Sequence, residues 1–172
     1  MKCSLIVIAI AIAFVGCKPK PDEYLSKAKA QVDAKNYALA IEEYQKLVKD
    51  HPDSPQTEEA MFTVASLYHN DLKDFAAAAK AYQAFADKYP KSDKAPTSLF
   101  LVGFLYNEEL KNLENAKKAY ESFLALYPQH EMADDAQFEL KNLGKSPEEL
   151  LPAIPQEPPV AASKTAKISK KN

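Results

Sequence analysis

Apolar and polar residues alternate along most of this chain with the period of an α-helix, and the pattern itself recurs at a fixed step that carries position 36 to 74 and then to 112. Three segments align without a gap: NYALAIEEYQKLVKDHPDS from Asn36, DFAAAAKAYQAFADKYPKS from Asp74 and NLENAKKAYESFLALYPQH from Asn112. The step links Ala40, Ala78 and Ala116, then Tyr44, Tyr82 and Tyr120, then Leu47, Phe85 and Phe123, then Pro52, Pro90 and Pro128. Apolar residues three and four apart share one helix face, so each segment predicts an amphipathic helix. Asn36, Asp74 and Asn112 offer side-chain oxygens to the free amides of a first turn. The prolines close each helix, because the residue before proline is driven out of the α region.

A second set of apolar clusters lies between these segments and keeps the same step: Met61-Phe62-Thr63-Val64-Ala65 with Tyr68, and Leu99-Phe100-Leu101-Val102-Gly103 with Tyr106. The unit is therefore a helical hairpin, and a fixed period of this kind is the mark of a stacked array. Helices are predicted at about 22–34, 37–50, 55–70, 75–89, 95–110, 113–127 and 131–143. They make an all-α solenoid of three hairpins plus a C-terminal capping helix, whose Asp134, Asp135, Glu139 and Lys141 suit a solvated outer face. Ser146-Pro147-Glu148-Glu149 reads as a capping box with proline at the first helical position, so a short turn is expected there.

These residues resemble the tetratricopeptide repeat (TPR), a helical hairpin of about 34 residues with a small residue at the helix crossing. Met61 or Leu99 stands at the large first-helix position, Val64 or Val102 three later, Ala65 or Gly103 at the crossing, and Tyr68 or Tyr106 beyond it. Repeat one keeps Tyr24, Ala28 and the run from Asn36 to Pro52. The resemblance implies that first helices line a concave groove for peptides or other proteins. Carried over position by position, it places Phe62, Ser66 and His69 in that groove from the second unit, and Phe100, Phe104 and Asn107 from the third. Phe62, Phe100 and Phe138 also keep the repeat step. They form either an aromatic ladder for an extended or helical peptide or part of the packing between repeats, and exposure of two or more would favour the ladder.

The start of the chain follows a different logic. Lys2 precedes an unbroken apolar run from Leu5 to Val15, then Gly16 and Cys17. Such a run reaches roughly 17 Å as a helix, short of the ~30 Å of a bilayer core, and the charged-apolar-small order is that of a secretory signal. Phe14-Val15-Gly16-Cys17 resembles the lipobox of bacterial lipoproteins. That resemblance implies cleavage before Cys17 and acylation of its thiol and new amino terminus, so that the protein is anchored to a membrane without spanning it. Cys3 would leave with the leader, and the mature chain would hold no free thiol. Lys18 differs from the aspartate that retains many such lipoproteins in the inner membrane, which implies the outer membrane, on its periplasmic face. The expected organisation is a signal peptide over 1–16, a lipidated tether over 17–21, the repeat domain over 22–151 and a disordered Pro/Lys-rich tail over 152–172.

Composition narrows the chemistry. All 22 basic residues are lysine, and they face 24 acidic ones. A near-neutral charge without arginine argues against nucleic acid as a partner. The charge is unevenly placed: residues 22–147 carry 15 Lys against 21 Asp and Glu, whereas 160–172 carries four lysines and no acid. Gly16, Gly103 and Gly144 are the only glycines, so no phosphate-binding glycine loop can be written. His51 and His130 fall beside the repeat prolines and His69 near a helix end, without metal-ligand spacing. Adjacent acids such as Glu42-Glu43 and Glu108-Glu109 diverge around a helix. The sequence therefore predicts no enzyme, no cofactor, no metal site and no small-molecule substrate. Its lipobox followed at once by repeats is similar to the BamD-type outer-membrane assembly lipoproteins. That similarity implies a scaffold binding other envelope proteins or peptides, with lipid held through Cys17. Two other readings stay open: an adaptor similar to the repeat domain of the Tol-Pal-associated cell-division coordinator, and an accessory subunit of an envelope enzyme or transporter.

Overall fold

In the computed structural model, residues 18–145 and residue 149 are described. The segment expected as a signal peptide, Cys17, most of the Ser146–Glu149 box and the segment expected as a tail over 152–172 lie outside the described residues. Seven α-helices and no strand occur among the described residues: α1 (Pro21–Asp33), α2 (Tyr37–Asp50), α3 (Pro55–Asn70), α4 (Phe75–Lys88), α5 (Ala95–Phe104), α6 (Leu113–Leu126) and α7 (Ala133–Lys141). Each packs on its neighbour in the chain, and the units stack as a solenoid. Three apolar clusters result, built around Tyr44 and Leu47, around Tyr82 and Val102, and around Tyr120 and Phe123.

The helix ends follow the sequence signals, with three differences. Asp74 Oδ1 accepts from the Ala77 amide at 2.9 Å, and Asn112 Oδ1 from the Asn115 amide at 3.1 Å. Asn36 occupies the same position without a side-chain cap bond, and its Nδ2 donates to Gln31 Oε1 at 3.0 Å. The helix expected over 95–110 is α-helical only to Phe104 and continues as a π-helical turn over Leu105–Glu109. There the Leu110 amide donates to the Leu105 carbonyl, five positions back, at 3.0 Å. The capping helix opens at Ala133 and not at 131, since His130 to Met132 form a turn in which the Met132 amide donates to His130 Nδ1 at 3.2 Å.

Each first-to-second helix turn places a lysine in the left-handed region: Lys35 at φ 58°, Lys73 at 54° and Lys111 at 50°. Backbone bonds reaching back five or six positions, such as Asn36 to Gln31 and Asp74 to Tyr68, close these turns in the manner of a Schellman motif. The opposite turns carry the prolines, with His51, Tyr89 and Tyr127 held at φ between −124° and −134°, as a residue before proline requires.

At the crossings, Ala65 is fully buried. A Cβ placed on Gly103 would lie 2.7 Å from the Tyr120 ring, so the third hairpin closes only because position 103 has no side chain.

Candidate functional site

Phe62, Ser66 and His69 share one side of α3 and turn toward α4. Phe62 meets Tyr82 and Phe85 edge-on, with centroids at 5.8 and 5.5 Å. Lys94, from the start of α5, lies over the outer face of the ring at 5.1 Å and pairs with Glu59. His69 rests against Phe75 and Tyr82 at 6.1 and 6.2 Å. Burial holds its imidazole below the ordinary histidine pKa, and nearby Lys73 adds to that. Ser66 Oγ accepts from Asn70 Nδ2 at 3.0 Å and hydrogen-bonds the Tyr82 hydroxyl.

The third unit repeats the aromatic part of this arrangement. Phe100 meets Tyr120 and Phe123 edge-on at 5.6 and 6.1 Å. The polar part has changed: Phe104 stands where Ser66 stood, and Glu108 where Asn70 stood. The Tyr120 hydroxyl is consequently buried with no hydrogen-bond partner among the described residues. Burial, with Glu139 and Glu108 close by, raises its pKa well above the ordinary tyrosine value. Asn107 is buried and donates Nδ2 to Glu108 Oε1 at 2.5 Å.

Phe62, Ser66 and His69 thus sit together against α4, whereas of the third unit's three residues Phe100 packs on α6 and Asn107 bonds its neighbour Glu108. Of the three phenylalanines on the repeat step, Phe62 and Phe100 are half-buried and Phe138 is 55% exposed. Tyr24 stands one step before Phe62 and is buried, so the aromatic series begins in repeat one. The same step taken backward from Phe62 finds that first member in the sequence.

Open concavities lie elsewhere, between consecutive second helices. One of about 400 Å³ runs between α4 and α6, with Val102 and Tyr106 at its floor and Lys80, Gln83, Asn115 and Lys118 on its walls. A second of about 260 Å³ between α2 and α4 is apolar, lined by Val48, Met61, Val64 and Ala81. The helical period marks these wall residues only as the polar side of α4 and α6, which is why sequence reasoning passed over them. Among the described residues no group of three or more His, Cys, Asp or Glu is placed to hold a metal ion, and no helix is long and apolar enough to cross a membrane.

No curated protein matches the chain. Among solved structures it is similar to the TPR domain of Arabidopsis OM64, at 18% identity and a TM-score of 0.48, over 70% of this chain and 93% of that one. It is also similar to the TPR2AB domain of yeast Sti1 in a pHSP90 complex, at 18% identity and a TM-score of 0.49, over 70% of this chain and 47% of that one. The model of the YfiO family, described as outer membrane lipoprotein, matches residues 18–146, which take in every helix from α1 to α7. The chain belongs to the YfiO outer membrane lipoprotein family.

Proposed function

We propose that this protein is a lipid-anchored member of an outer-membrane protein assembly machinery, in the manner of the BamD-type lipoproteins, and that it acts by holding other envelope proteins against its helical surface. The coarser statement follows from family membership: it is a non-enzymatic TPR-type interaction scaffold of the cell envelope. The observation that carries the finer one is the extent of the family match, which begins at residue 18, immediately after the lipobox cysteine, and runs through the whole array. Acylation at Cys17 would hold the array at the membrane, since two or more acyl chains anchor durably where one is marginal. The groove between α4 and α6, with an apolar floor and polar walls, suits an extended segment of a partner.

Photo-crosslinking in cells tests this, with a reactive group at Gln83 in the groove and another at His69 on α3. Capture of barrel-assembly components at either position is expected. Capture of cell-division envelope proteins in their place would move the chain to the Tol-Pal type of adaptor, and capture of neither class would end both readings.

A further inference from the structure

The residues that follow Cys17 are bound to the array at several points. Lys18 Nζ pairs with Asp50 Oδ1 at 3.0 Å, and His51 Nε2 donates to the Pro19 carbonyl at 2.7 Å. The Lys20 carbonyl accepts the Glu23 amide at 3.0 Å, and Pro21 opens α1. Gln56 Nε2 donates to Asp22 Oδ1 at 3.2 Å, and the Tyr24 hydroxyl donates to Asp50 Oδ2 at 2.6 Å. Asp50, at the end of α2, therefore holds both the strap and the first helix.

The same edge of the solenoid shows what the strap imitates. Lys88 Nζ donates to the Pro52 carbonyl at 3.0 Å, and the Tyr127 hydroxyl donates to the Pro90 carbonyl at 2.9 Å. Each proline turn is thus tied to the next through a proline carbonyl. Pro19 takes that role for the α2–α3 turn, so the strap sits as the first turn in the row. The residue before the strap, Cys17, is where the lipid would be attached.

We infer that Lys18–Pro21 is an orientation clamp that fixes the α2–α3 turn against the lipid headgroups and directs the α3–α4 turn away from the membrane. This rests on the proposed acylation of Cys17. A free tether of that length would let the array swivel, whereas a docked one sets which edge faces the bilayer. The α3 helix has 16 residues, so its two ends are separated by about 24 Å along the axis. The bilayer partner is selected by position and not by charge, because Lys18, Lys20 and Lys91 on this edge are interleaved with Asp53 and Asp93.

The chain has no tryptophan, so one introduced tryptophan is a unique fluorescence donor. The mature full-length protein, taken from the membrane fraction and placed in phosphatidylglycerol/phosphatidylethanolamine vesicles with a dansyl headgroup acceptor, is compared as Asp53→Trp and Leu72→Trp. Both positions are exposed, one in each turn. Transfer from position 53 is expected to exceed that from position 72 several-fold, and to fall toward it when Asp50→Asn and His51→Ala release the strap. Equal transfer from the two positions, or a difference that survives release of the strap, overturns the clamp. Mass spectrometry of the mature N-terminus separates this result from failure of the anchoring proposal. If Cys17 is found unacylated, that proposal falls, and the same variants coupled at Cys17 to a maleimide phospholipid still decide whether the strap orients the array.

Discussion

Tyr82 and Tyr120 occupy the same place in successive repeats, yet removing their hydroxyls should move stability in opposite directions. Tyr82 has Ser66 as a partner, and Ser66 in turn accepts from Asn70, so the hydroxyl belongs to a satisfied chain. Tyr82→Phe deletes one neutral hydrogen bond, at a cost of about 0.5–1.5 kcal/mol. Tyr120 is 0% exposed and its hydroxyl has no partner among the described residues, because Phe104 fills the position of Ser66. A buried polar group left unmade carries a penalty of about 1–3 kcal/mol. Tyr120→Phe removes that penalty and gives up only the contacts of one oxygen atom, so the net expectation is a gain of about 1 kcal/mol. The two variants should then differ by about 2 kcal/mol, or very roughly 5–10 °C in Tm for an array of this size. Urea denaturation of the mature chain, followed by circular dichroism and by tyrosine fluorescence, measures both, and coincidence of the two probes establishes whether one transition describes the array. A loss at Tyr120→Phe as large as that at Tyr82→Phe would show that the Tyr120 hydroxyl is satisfied after all, and would refute the comparison of the two repeats.

Gly103→Ala places a methyl within 2.8 Å of three atoms of the buried Tyr120 ring and should cost about 1–3 kcal/mol by overpacking, whereas Ala65→Gly in the preceding unit should cost only about 1 kcal/mol as a helix-interior glycine. Lys73 adopts φ 54°, a conformation that penalises any residue with a Cβ, so Lys73→Gly should raise stability by about 1 kcal/mol in the same urea assay, and Lys73→Ala should not. His69 has a lowered pKa in the folded state, so its contribution is complete above the unfolded value of about 6.5 and is lost as pH falls through the folded value. Unfolding midpoints of the parent should therefore decline between about pH 7 and 5 more steeply than those of His69→Gln. Asp50 likewise titrates below the ordinary carboxylate range, through the Tyr24 hydroxyl first and Lys18 second. Its contribution is present above about pH 4 and disappears as acid protonates it, which Asp50→Asn should abolish in a pH series of the same kind.

The array was legible because each element announces itself twice, once by its helical period and once by its echo one repeat away. Five of the seven predicted helices match the observed bounds to within one residue at each end, since proline and N-cap signals sit at those ends. What escaped was set by interactions between elements. Asn36 has the right chemistry for a cap, but its side chain bonds Gln31 through Nδ2 and its Oδ1 makes no bond to the first turn of α2. The π-helical turn at Leu105–Glu109 leaves no mark in residue count, because the third unit has the same length as the second. The helical pattern set Tyr82 and Phe85 on the apolar face of their helix, where both are buried, yet it did not say toward which neighbour Phe62 would lean. In the structure Phe62 and Phe100 lean into their own hairpins.

That leaning bears on how an array of this kind divides its surface. Phe62 is covered by Tyr82 and Phe85, and Phe100 by Tyr120 and Phe123, each pair supplied by the second helix that follows. Phe138 keeps the step, but Pro158 and Ala161 stand where its tyrosine and phenylalanine would be, and it is 55% exposed. Its greater exposure therefore has the same origin as the partial burial of the other two: the ring is half-covered where an aromatic pair follows at the right distance and left more open where the sequence supplies none. Phe62 and Phe100 each spend part of their surface on the second helix of their own hairpin, so a partner held along the first helices would meet their remaining faces together with the residues beside them.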